Sequence, residues 1–310
     1  MPDLLRIPWP RGGCPVPFTG GIHSLICTLQ PSFRQRKREL VQQAVAILDS
    51  GVGGLTVVKE VLCQLPQEKI IYFGDTARAP YGPRPAREVL LFTQQIVDYL
   101  TQFQPKMLVI ACNTATAIAL EHIRSRVSIP VAGVIHPGAR AAIKSTRARK
   151  VGVIGTKGTI QTGAYEQVLK QISPGIQVVG LACPDLVPLV ESGRFDGLEA
   201  IETVERSLAP IRELPMDCLI LGCTHYPYLS KLIGQVMGPE VELISSADET
   251  AREISTILGH RGMLAGADET PQHQFFCSGQ PQLFKQIAEM WLEQPIEVTP
   301  FDWQITNLIV

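Results

Sequence analysis

Met107-Leu-Val-Ile-Ala-Cys-Asn-Thr-Ala-Thr116 is a short apolar run that stops abruptly at a cysteine flanked by small polar groups. A second stretch, Cys218-Leu-Ile-Leu-Gly-Cys-Thr-His-Tyr-Pro227, repeats the design. Unbroken apolar runs of this length, bounded by small residues, read as strands buried on both faces of a parallel sheet. Each would deliver a thiol, Cys112 or Cys223, to the carboxyl edge of its sheet, where open α/β folds place their ligands.

Strands and helices alternate outward from these two stretches. Ala44–Leu48 reads as a strand, followed by the turn Asp49-Ser-Gly-Val-Gly-Gly54 and a helical pattern from Leu55 to Leu65. Ile70–Phe73 is a second strand. Pro85 to Gln102 follows with a helical period that puts Val89, Phe92, Ile96, Val97 and Leu100 on one face. After Val131–Ile135 the design restarts with the strand Lys150–Ile154, the turn Gly155–Thr159, the stretches Ile176–Val179 and Cys183–Glu191, a helix over Leu198–Leu208, and the strand Cys218–Gly222, which reads as closing the unit. This alternation predicts two similar α/β domains, each a mostly parallel sheet flanked by helices, with the active site in the cleft between them. The expected division is a first domain of residues 44–134 plus 248–310 and a second of 135–247. Residues 1–43 are rich in Pro, Gly and Arg, end near the basic run Arg34–Arg38, and read as a mobile extension. Their apolar stretch is interrupted by His23 and Ser24, which disfavours a signal peptide.

Bulk composition narrows the function classes. The chain has 310 residues, 45% hydrophobic and 18% charged, enough for a substantial core. A formal net charge of −1 and 6% aromatic residues argue against a nucleic-acid partner. No apolar run is long enough to predict a membrane span. The 8 cysteines form no CxxC pair and no zinc-spaced cluster, so no metal is expected, and reduced thiols point to the cytoplasm.

A cysteine inside an apolar strand is usually a small core residue, and Cys63 and Cys218 are read that way. Cys112 and Cys223 differ, because each ends its strand and precedes hydroxyl or amide groups: Asn113 and Thr114, or Thr224 and His225. Such neighbours can hold an anion, and a helix N-terminus there would favour thiolate. Two opposed thiols suit the inversion of a carbon stereocentre, one removing a proton while the other supplies one. Asp49 and Ser50 precede glycines that do not make a dinucleotide fingerprint, so Asp49 reads equally as a cap or a site residue. His225 is a candidate thiol-tuning base, and Glu191 a solvated helix residue on local pattern alone.

The strings Leu48-Asp-Ser-Gly-Val-Gly-Gly-Leu55, Gly74-Asp-Thr-Ala-Arg-Ala-Pro-Tyr-Gly82, Ala111-Cys-Asn-Thr-Ala-Thr116 and Leu221-Gly-Cys-Thr-His-Tyr-Pro227, in that order, resemble those of the glutamate racemases in the aspartate/glutamate racemase superfamily. Gly133–Arg140 and Val151–Thr159 agree, and the likeness runs from about residue 44 to the end. The resemblance implies cofactor-independent interconversion of L- and D-glutamate, supplying D-glutamate for bacterial peptidoglycan, by a cytoplasmic enzyme that is commonly a homodimer. It implies that Cys112 and Cys223 are the two bases, Cys112 acting on D-glutamate and Cys223 on L-glutamate. It gives Asp49, His225 and Glu191 supporting roles. It places Asp49, Ser50, Pro80, Tyr81, Gly82, Asn113, Thr114, Thr224 and His225 at the substrate. Tyr228 and Ala79 depart from the commoner aliphatic and Val of the pattern, which concerns packing. A sister enzyme acting on aspartate and a non-catalytic binding protein are the rival expectations; a nicotinamide dehydrogenase fails on the missing fingerprint.

Overall fold

The computed structural model describes residues 40–306 apart from 194, 268 and 269. Most of the expected extension, residues 1–39, lies outside the described residues. Residues 40–43 are in place: the Val41 carbonyl accepts from Lys106 Nζ at 2.7 Å, so the fold begins slightly earlier than the composition suggests.

The first half of the chain runs β1 (Val45–Asp49), α1 (Leu55–Gln64), β2 (Ile70–Gly74), α2 (Ala86–Thr101), β3 (Met107–Ile110), α3 (Asn113–Arg126) and β4 (Val131–Gly133). The second runs α4 (Ile135–Ser145), β5 (Lys150–Gly155), α5 (Lys157–Gln161), α6 (Ala164–Ile172), β6 (Gln177–Ala182), α7 (Leu186–Glu191), α8 (Leu198–Leu208), β7 (Cys218–Gly222), a 3-10 turn over Tyr226–Leu229, α9 (Ser230–Met237) and β8 (Glu242–Ser245). The chain then continues through α10 (Ser246–His260), β9 (Gln274–Cys277), α11 (Pro281–Leu292), β10 (Val298–Pro300) and α12 (Trp303–Thr306).

Two sheets result, of six strands in the order β10-β9-β2-β1-β3-β4 and of four in the order β6-β5-β7-β8, with parallel pairing throughout. This is a two-domain α/β fold. Numbered within each half, the strand order is the same, second-first-third-fourth. The last two strands, β9 and β10, return to extend the first sheet beside β2. Cys218–Gly222 does not close the second unit: β8 lies beyond it as an edge strand. With Glu242 exposed and only Ile244 fully buried, β8 lacks the continuous apolar run that marks the central strands.

Local sequence explains the elements that matter for the site. β1, β2, β3 and β7 are buried at every position, as a parallel sheet covered on both faces requires. Helix α2 buries Val89, Thr93, Ile96, Val97 and Leu100 along one stripe. Phe92 is only partly buried and packs against the edge of the same core. Helix α10 opens at Ser245, whose hydroxyl accepts the Ala247 N–H, with Asp248 and Glu249 in its positive first turn. At the far end of the first sheet, buried Lys106 donates to the carbonyls of Val41 and Met263. Its Nζ also lies 2.5 Å from Glu68 Oε2, a contact of opposite charges rather than an aligned hydrogen bond. Cys218 is buried as expected, whereas Cys63 faces solvent on α1. Tyr228 packs face to face on Trp291, ring centroids 3.6 Å apart, so its departure from an aliphatic residue is taken up by stacking.

Candidate active site

Cys112 and Cys223 each follow the third strand of their half and line one cavity between the two sheets. Ser50, Pro80, Tyr81, Gly82, Asn113 and Thr114 come to it from the first half. Glu191, Thr224 and His225 come from the second. Asp49 stands just behind the wall. It is not the cap of α1, which is Gly54. Its Oδ1 accepts the Gly51 N–H at 2.9 Å, and its Oδ2 accepts the Thr224 hydroxyl at 3.3 Å. That second bond joins the halves directly beneath the thiols.

The glycines after Ser50 permit this approach rather than cradling a phosphate. A Cβ on Gly53 would fall 2.4 Å from Thr224 Oγ1 and 2.6 Å from His225 Nδ1. A Cβ on Gly82 would strike Thr156, and the Gly82 carbonyl accepts the Gly158 N–H at 2.8 Å across the cleft. The enclosed space is about 20 Å³, little more than one water molecule needs. An amino acid is larger than this space, so its entry must displace part of the lining.

Cys112 is the N-cap of α3, its Sγ accepting the Ala115 N–H at 3.4 Å. The expectation of a lowered thiol does not hold. Burial pushes Cys112 up to about 12, and the nearby Asp49 carboxylate adds to the rise. The Ala115 N–H and the Ser50 hydroxyl pull it back only in part. The helix terminus is present, but withdrawal from water outweighs it.

Cys223 is followed not by a long helix but by the turn that His225 opens. The His225 Nδ1 lies 3.7 Å from the Cys223 sulfur, and its Nε2 lies 3.4 Å from Glu191 Oε1, in ion-pair range but off a hydrogen-bond line. Burial alone would lower His225. The close contacts with Cys223 and Glu191, with the charges of Cys223 and Asp49, outweigh it and raise the imidazole to about 10. At neutral pH it is an imidazolium facing a sulfur. Glu191, which local pattern leaves in solvent, is half in and half out: its side chain keeps 36% exposure while one oxygen reaches the histidine.

Asn113 supplies the clearest opening for an anion. Its Oδ1 accepts the Tyr165 hydroxyl at 2.7 Å, which turns the amide so that Nδ2 is buried without a partner at the cavity wall. A buried N–H without an acceptor is costly, and a carboxylate oxygen would satisfy it. Thr114 Oγ1 sits in a hydroxyl cluster with Thr156 at 2.9 Å and Thr159 at 3.1 Å. Thr156, Val187 and Tyr165 are not among the sequence candidates. Thr156 follows β5 as Ser50 follows β1, so the repeat between halves could have pointed to it; Val187 and Tyr165 carry no such mark. Among the described residues no group of three or more His, Cys, Asp and Glu could hold a metal ion, and no helix is long and apolar enough to cross a membrane.

A family model described as Asp/Glu/hydantoin racemase matches residues 54–254. The chain belongs to this racemase family. Among its relatives, a glutamate racemase from Bacillus cereus is 54% identical over 83% of this chain and 96% of its own length. A glutamate racemase isoform from Bacillus anthracis superposes with a TM-score of 0.82 at 49% identity, covering 84% of this chain and 98% of that one. One from Francisella tularensis, solved with D-glutamate, gives a TM-score of 0.79 at 31% identity over 84% and 97% of the two chains. The racemase family and the two-domain fold thus agree along nearly the whole of the relatives' lengths.

Proposed function

We propose that this protein is a glutamate racemase that moves a proton between Cys112 and Cys223 across the α-carbon of glutamate, without a cofactor. The observation that carries the reading is the meeting of two buried, strand-end thiols from opposite sheets in one small cavity. A racemase must reach both faces of one carbon, and two like groups on opposite walls do that. Cys112, held as a thiol, is ready to donate. The His225 imidazolium, with Nδ1 3.7 Å from the sulfur, can give a proton to Cys223 and then recover it. In the L-to-D direction Cys223 removes the α-proton and Cys112 delivers one to the opposite face; in the D-to-L direction the roles reverse. The unpartnered Asn113 amide N–H offers a donor for a substrate carboxylate, whose orientation then decides which face meets which sulfur. Product D-glutamate would feed bacterial peptidoglycan.

The test incubates purified protein with L-glutamate and with L-aspartate and follows circular dichroism at equilibrium. In deuterated water, α-proton exchange is read in parallel by NMR. Racemisation of glutamate is expected. Activity on aspartate alone would overturn the substrate, and full activity in a Cys112→Ala/Cys223→Ala double variant would overturn the mechanism.

A further inference from the structure

Asp75 follows β2 and is fully buried, yet it is outside the cavity and does no proton chemistry in the reading above. Its Oδ2 accepts from the Tyr81 hydroxyl and from Arg78 Nε at 2.7 Å. Its Oδ1 accepts from Ser278 Oγ at 2.7 Å and from Trp303 Nε1 at 2.9 Å. Four donors fill the acceptor capacity of a carboxylate. Two come from the loop that ends in Pro80, Tyr81 and Gly82 at the cavity wall. The other two come from the chain's return to the first sheet, after β9 and at α12. Trp303 also offers its face: the Arg78 guanidinium lies 3.6 Å from the Trp303 ring centroid and 4.1 Å from that of Phe92. The same loop is held again where Ser278 Oγ accepts the Ala77 N–H and Thr76 Oγ1 accepts the Gly279 N–H.

We propose that Trp303 is a positioning residue for substrate binding: through Asp75 and Arg78 it fixes the loop whose Pro80, Tyr81 and Gly82 form one wall of the site. The C-terminal turn is thus part of the substrate-holding apparatus, although it touches no reacting atom. The proposal rests on the racemase reading for its substrate but not for its geometry, and the experiment separates the two. Trp303→Phe keeps the stacked ring and removes the indole N–H; Trp303→Ala removes both. Losing one charge-assisted bond to a buried carboxylate should raise the KM for glutamate about tenfold in Trp303→Phe, with kcat changed by less than about twofold. Trp303→Ala should raise it further. Amide hydrogen exchange across residues 76–84 should quicken in both variants while β1 and β3 keep their protection. That exchange readout needs no substrate, so it holds even if the wild-type protein proves inactive on glutamate. Unchanged exchange at 76–84 overturns the proposal. So does a uniform loss of protection with kcat lowered at an unchanged KM, which would make Trp303 a general stabiliser only. Trp303→Phe serves as the decisive variant if Trp303→Ala fails to fold.

Discussion

Cys112 and Cys223 occupy matching places, each just past the third strand of its half, but their neighbours differ. Cys112 meets a backbone N–H, the Ser50 hydroxyl and the Asp49 carboxylate, and it caps a helix of 14 residues. Cys223 meets an imidazole backed by Glu191, and a 3-10 turn separates it from the next helix, α9. Where β1 ends in Asp49 and is followed by Ser50, the matching β5 ends in Gly155 and is followed by Thr156. The shared fold sets where the sulfurs stand; unshared side chains set how each handles a proton. The proposed two-thiol racemisation would need the two positions to be geometrically alike, and it would tolerate their being chemically unlike.

The most severe way to break this comparison is to remove either sulfur. Cys112→Ala and Cys223→Ala should each lower kcat/KM by at least about 10³-fold, because a positioned acid–base group is typically worth 10²–10⁴ and racemisation uses both. Retention of half the activity by either variant would contradict a two-base route. Next comes His225→Asn, expected to cost about 10²-fold. The equilibrium constant between enantiomers is one, so kcat/KM must fall equally in both directions. The asymmetry should instead appear in the primary deuterium isotope effects with α-deuterated L- and D-glutamate, which should diverge more than in the wild type. Equal isotope effects in the variant would mean that His225 does not serve Cys223 alone.

Glu191→Gln should be milder, about tenfold at neutral pH. Glu191 helps to raise His225, so its loss should move the alkaline limb of the kcat/KM profile to lower pH. The same imidazole affects stability. Its folded value, about 10, lies above the unfolded one, so its contribution is fully present below about 6.5 and is lost as pH rises through 10. Thermal melts of wild type and His225→Asn across this range should converge at the alkaline end. The smallest effect is expected on the Cys112 side. Thr156→Val removes one member of the Thr114–Thr156–Thr159 hydroxyl cluster and should cost about 1 kcal/mol in denaturant melts while leaving the isotope effects unchanged.

The central strands were legible in the sequence because burial on both faces writes a continuous apolar run, as at Met107–Ile110 and Cys218–Gly222. Helix α8 was legible from its period, its bounds matching the expected Leu198–Leu208. β8 was not, since an edge strand with one polar margin leaves no such run. The two thiols were legible because each breaks its own strand pattern. Asp75 was not: its partners Ser278 and Trp303 lie more than two hundred positions away, and no local period records a bond of that span. The raised Cys112 thiol was misjudged for a related reason. A sequence shows that a helix begins after the cysteine but not how completely the opposite half covers it.

The chain crosses between the halves twice, outward through α4 and back through α10, and the two crossings lie side by side. Arg140 Nη2 and Glu253 Oε2, 2.5 Å apart, tie them together. A single tether would let the halves swivel as well as separate. A paired one behaves as a door on two hinges, with one axis of swing. For the proposed reaction, a cleft that opened about that axis would bring the sulfurs back to the same line through the substrate carbon. In the proposed reaction, access to both faces of the substrate carbon would then depend on this joint as well as on the thiols.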